Sequence, residues 1–114
     1  MKSIQNRLKS IYESLNDISD PLFIYHYERA EDYTVPYGVW YEEGESKGFH
    51  ASNTKIEQSL EGRLDFYTLT EFDPLVDDIQ ECLNEIEGLG WELDAVLYED
   101  ETKLIHYSWH WSIV

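Results

Sequence analysis

Two of the chain's four histidines, His106 and His110, stand four residues apart near its C-terminal end, a spacing at which side chains on a strand share a face. Imidazoles on one face invite a metal, but along a strand these two are separated by about 13 Å at about 3.3 Å per residue, too far for one ion to bridge. His26 and His50 have no Cys or His neighbour at ligand spacing, so no metal site is expected. Adjacent acids, Asp77 with Asp78 and Glu42 with Glu43, have the chemistry for general acid–base work where burial splits their pKa values. With 24 acids among 114 residues, composition alone produces such neighbours, and a solvated acidic face accounts for them. The single cysteine, Cys82, has no internal disulfide partner. Glu81 and Glu85 beside it oppose a thiolate, so it reads as a small buried hydrophobe rather than a nucleophile. Gly44 and Gly48 lie among acids, without the lysine or helix start of a phosphate-binding loop. The expectation is a protein with no catalytic residues and no cofactor.

The charge narrows the partners. The formal net charge is −16, from 24 acids against 8 bases, and no Lys or Arg occurs between Arg63 and Lys103. Phosphate backbones are held by basic patches, so specific nucleic-acid binding is not expected. The aromatic side chains lack the basic groove that base-stacking proteins pair with them. The N-terminal residues carry no apolar core of a signal peptide and no apolar run is long enough to cross a bilayer. No membrane association is expected, and the chain is expected to act where it is made.

The elements that must position these residues follow from periodicity. Ile4, Leu8, Ile11, Leu15 and Ile18 recur at spacings of four and three, which predicts an amphipathic helix over about residues 2–17, with Lys2, Arg7 and Lys9 on its solvent face. Leu22 to Glu28 is rich in β-branched and aromatic types, and a second strand opens at Pro36. Glu42 to Ser52 has no periodicity and reads as a long mobile loop. A long alternating strand covers about 55–71, with Gly62 marking a bulge or bend. Asp73-Pro74 starts a second helix over about 74–87, whose buried stripe is Leu75, Ile79, Leu83 and Ile86. The tail is a hairpin turning at residues 99–102. In its first strand Trp91, Leu93, Ala95 and Leu97 share one face; in its second Ile105, Tyr107, Trp109, Trp111 and Ile113 do. The whole chain, 1–114, is thus expected to be one α+β domain, a two-layer sandwich of about five mainly antiparallel strands against two helices in the order α-β-β-β-α-β-β.

The strands carry more large aromatics than one small two-layer core readily hides, and long strands have edges that a ring of subunits can pair. Tyr107, Trp109 and Trp111 are accordingly assigned to a subunit interface.

Four segments in this order resemble the tail-terminator and tail-completion (head-to-tail joining) proteins of long-tailed bacteriophages: IQNRLKSIYESL; VPYGVWY; TKIEQSLEGRLDFYTLTEF leading into DPLVDDIQECLNEI; and GWELDAVLYEDETKLIHYSWHWSI. The resemblance spans nearly the whole chain as a pattern of elements. It implies a virion structural protein, made in the host cytoplasm, that forms a homo-oligomeric ring, usually of six subunits, at the head-proximal end of the tail. Such a ring stops growth of the tail tube and meets the head connector, with the tube protein and the connector protein as its partners. Glu42, Glu43 and Glu45 then suit a loop facing the lumen, where they would repel passing DNA. The alternative from another class is a small acidic inhibitor or immunity-type protein that docks on a basic enzyme or imitates nucleic-acid phosphates. A small enzyme is a third reading, requiring a deep pocket with shifted titrating groups.

Overall fold

The computed structural model describes residues 3–18, 22–46 and 58–114. Helix α1 (Ile4–Asn16) starts where the Ser3 hydroxyl accepts the Asn6 amide at 3.2 Å, satisfying one of the free N–H groups of the first turn. Helix α2 (Leu75–Glu85) starts on the expected aspartate. Asp73 Oδ1 accepts the Leu75 amide at 2.9 Å, while its Oδ2 accepts the Thr68 hydroxyl at 2.6 Å, so one buried carboxylate ties the helix start to the end of the preceding strand.

Among the described residues the strands are five: β1 (Phe23–His26), β2 (Tyr37–Glu45), β3 (Leu60–Thr68), β4 (Leu89–Glu99) and β5 (Leu104–Ile113). They form one sheet in the order β1-β2-β3-β5-β4, antiparallel except for the parallel β1–β2 pair. The architecture is the expected α+β arrangement. Both helices pack on one face, where Ile11, Leu15, Ile79, Leu83 and Ile86 meet Trp40, Leu64, Phe66, Trp109, Trp111 and Ile113. Polar and aromatic residues cover the opposite face.

Several details depart from the sequence reading. Arg7 is buried, not on the solvent face of α1: its Nη1 donates to the carbonyls of Gln58 and, at 3.4 Å, Ile113. Those carbonyls lie at one end of the sheet, so the guanidinium pins the helix there. The loop expected from Glu42 does not begin at that residue, because β2 continues to Glu45; the remainder, residues 47–52, lies outside the described residues. Residues 55–57 of the expected long strand do too.

Each bulge adds a residue that periodicity alone does not reveal. In β2, Glu42 pairs with Gly62 and Gly44 with Glu61, which leaves Glu43 as the extra residue. In β4, Leu93 pairs with Trp109 and Ala95 with Ser108, which leaves Asp94 unpaired. The second bulge reverses the expected faces beyond it. Val96 and Tyr98, opposite Tyr107 and Ile105, fall on the helix side of the sheet, and Ala95 and Leu97 on the other.

Candidate functional site

The described histidines all lie on the sheet, each beside a carboxylate. His106 Nε2 is 3.0 Å from Asp65 Oδ1 across the β3–β5 ladder, and His110 Nε2 is 3.3 Å from Glu61 Oε2. Arg63, on the strand between those acids, donates to Asp94 at 2.7 Å and to the Ser108 hydroxyl at 3.4 Å. The sheet therefore distributes the imidazoles among separate partners. Among the described residues no group of three or more His, Cys, Asp or Glu side chains could hold a metal ion. Cys82 donates to the Ser14 carbonyl at 3.3 Å, and burial, followed by the charges of Glu85 and Asp17, pushes its thiol up to about 11. The half-buried thiol stays protonated at neutral pH.

His26 and Glu42 form a third pair, on the helix side. The imidazole is sandwiched between Tyr27 and Trp40, with ring centres at 3.7 and 3.9 Å, and its Nε2 lies 2.8 Å from Glu42 Oε2. The Tyr27 hydroxyl donates to the other carboxylate oxygen. Partial burial works against the charge of Glu42, but the hydrogen bonds from Tyr27 and His26 outweigh it and hold the carboxyl below its ordinary value near 4.5. A group depressed on folding stabilises the fold above its unfolded pKa, and that contribution is lost as pH falls through the folded value. Glu42→Gln is accordingly expected to cost about 1 kcal/mol near neutral pH. The gap from the wild type should narrow as pH falls below 4.5 in urea unfolding curves taken across the acid range.

The acids assigned to one lumen loop are thus placed separately. Glu42 is engaged with His26 and Tyr27, Glu43 is the exposed bulge residue, and Glu45 ends β2, accepting from Gln58 Nε2 at 3.1 Å. The interface assignment of Trp109 and Trp111 is overturned by their burial: each is at most 1% exposed beneath the helices, and Trp109 Nε1 donates to Gln80 of α2. Tyr107 is half-buried beside them.

The exposed apolar surface lies elsewhere, toward the turn of the β4–β5 hairpin. Val96, Leu97 and Tyr98 are 51%, 55% and 59% exposed. Leu69, at the end of β3, joins them around a groove of about 610 Å³ that Ile105 also lines, and Phe72 stands nearby in sequence, more exposed than any of these. Val96, Leu97 and Tyr98 sit on the strand that forms the sheet's outer edge. A pattern of apolar side chains next to unpaired ladder groups marks a surface suited to another polypeptide. The signal available in the sequence is AVLY, four apolar residues in a row within an otherwise alternating strand.

No protein-family model matches the chain. Comparison with curated proteins finds no match.

Proposed function

We propose that this protein is a structural subunit of a bacteriophage neck, a tail-terminator or head-to-tail joining protein that assembles into a ring of identical copies at the head-proximal end of the tail. The observation that carries this reading is the outer edge of β4, where Ala95 to Glu99 follow the bulge and Val96, Leu97 and Tyr98 are each more than half exposed. A solitary protein blunts such an edge, and here Glu92, the bulged Asp94 and the terminal Glu99 leave the stretch from Ala95 to Tyr98 without a charge. That stretch is free to pair.

The opposite edge of the sheet is β1, which has four residues against eleven in β4. Two unlike edges favour a head-to-tail contact, in which one patch meets a different patch on the next copy, and a contact of that kind closes into a ring when its rotation allows. A charge of −16 on each subunit resists assembly at low salt and keeps DNA from adhering as it passes. Glu43, the exposed bulge residue of β2, is the acid of that strand best suited to the second task. The ring's other partners are the tail-tube protein below and the head connector above.

Polymerising the tube protein of the same phage in the presence of this chain tests the role. Tubes of bounded length, each with a ring at one end under negative-stain microscopy, are expected. Tubes that grow without limit and carry no terminal ring would remove the proposal.

A further inference from the structure

The two edges of the sheet match each other in direction, row and charge. Along the order β1-β2-β3-β5-β4 only the β1–β2 pair is parallel, so β4 runs antiparallel to β1. A second copy placed beside β4 without being turned over, as in a head-to-tail contact, therefore offers its β1 in the antiparallel sense, the more stable way to extend a ladder. The rows of paired residues also line up. Phe23, Tyr37, Tyr67, His106 and Leu97 form one row across all five strands, with Phe23 at one edge and Leu97 at the other. The next row runs from Ile24 through Gly38, Phe66 and Tyr107 to Val96. On the β1 edge, Tyr27 donates its amide to the Trp40 carbonyl at 2.9 Å, so by alternation the amides of Ile24 and His26 point away from β2 and out of the sheet.

We infer that the subunit contact is a main-chain ladder in which the uncharged stretch of β4 on one copy pairs with β1 of the next, Leu97 opposite Phe23 and Val96 opposite Ile24. The inference rests on the ring reading and names which edge meets which. In this register each row of one copy runs on into the same row of the next. Leu97 and Phe23, each 55% exposed in the single subunit, cover one another on the face of the sheet that the helices leave open. A slip of one residue would send every side chain of the added strand to the wrong face, so the register is confined to this parity.

Charge favours β1 over a second β4 as the partner. Residues 22–27 include no acid in a chain of net charge −16, so the carboxylates that flank Ala95 to Tyr98 meet no like charge on β1. Pairing two β4 edges about Leu97 would set Asp94 of each copy against Asp100 of the other, and like charges directly opposite destabilise a sheet.

Crosslinking between two single variants tests the ladder. Phe23→Cys and Leu97→Cys are mixed at low salt, brought to the salt at which light scattering shows the wild type assembled, and treated with bis-maleimidoethane. The mixture is expected to give a crosslinked pair holding one copy of each, and neither variant alone should crosslink more than the wild type, whose single thiol is Cys82. Phe23→Cys mixed with Val96→Cys, on the other face, should give at most about a tenth of that yield. Phe23→Lys should raise the protein concentration needed for half-assembly about tenfold, an effect that does not depend on the cysteine variants. An assembled wild type whose Phe23→Cys and Leu97→Cys mixture stays uncrosslinked, or whose Phe23→Lys variant assembles equally well, would overturn the ladder and leave the ring reading standing. Leu97→Cys crosslinking to itself as fully as the mixture does would overturn it in favour of two β4 edges meeting. A wild type that stays monomeric at every salt would overturn the ladder and the ring together.

Discussion

Gly62→Ala is expected to lower the unfolding free energy by about 3 kcal/mol, at the upper end of the range for overpacking a core. Gly62 faces the helices from the middle of the sheet, opposite Glu42 and Trp111 on its two neighbouring strands. A Cβ there would fall well inside contact distance of the Tyr41 carbonyl oxygen and of Trp111 Cζ2, and 2.8 Å from Trp111 Cε2. None of these atoms has room to retreat. The Tyr41 oxygen is backbone in a paired strand, and the Trp111 ring is 1% exposed and packed toward Trp40 at 6.2 Å. The missing side chain is the space into which the indole fits. Equilibrium urea unfolding, followed by tryptophan fluorescence, should show the midpoint shifted far down with the slope preserved. A shift equivalent to less than about 1 kcal/mol would mean that the strands part easily at this point, contrary to the close approach described.

The second large effect concerns association. Val96→Lys with Tyr98→Lys is expected to abolish self-association while leaving the monomer's stability within about 0.5 kcal/mol of the wild type, because both side chains already face solvent. Lysines on this edge replace apolar contact with charges that must be desolvated, and edge lysines are a common device against strand pairing. Two lysines per subunit also reduce the net negative charge and so ease long-range repulsion, but the local loss of apolar burial outweighs that relief. Sedimentation velocity separates the two effects. Assembly as strong as the wild type's would place the subunit contact away from the β4 edge.

How much of the fold and of the candidate sites is legible in the sequence depends on the range of the interaction involved. The helix starts at Ser3 and Asp73 are local, and Asp73 is readable as a cap, as is the stripe containing Ile79 and Leu83. Gly62 stands out within its strand, but the reason is the indole of Trp111, far along the chain. The bulge there belongs to Glu43 on the partner strand. The extra residue at Asp94 leaves composition unchanged and only shifts phase, so simple alternation puts the exposed pair Val96 and Tyr98 on the wrong face. Trp109 and Trp111 read as surplus aromatics because a count of aromatics does not include the space a glycine leaves or a hydrogen bond to α2. Arg7 reads as a solvent cation for the same reason: the carbonyls that hold it, of Gln58 and Ile113, belong to distant parts of the chain.

The acidic-inhibitor reading and the ring reading differ most plainly in mass. Light scattering across protein concentration and across roughly 0.05–1 M salt, where charge screening shortens from about 14 Å to about 3 Å, measures it directly. Growth of the wild type toward a hexamer as salt rises, absent in Val96→Lys/Tyr98→Lys, is the predicted result. A wild-type monomer at every salt and protein concentration would contradict assembly through the β4 edge and leave a small acidic protein that docks singly on a basic partner.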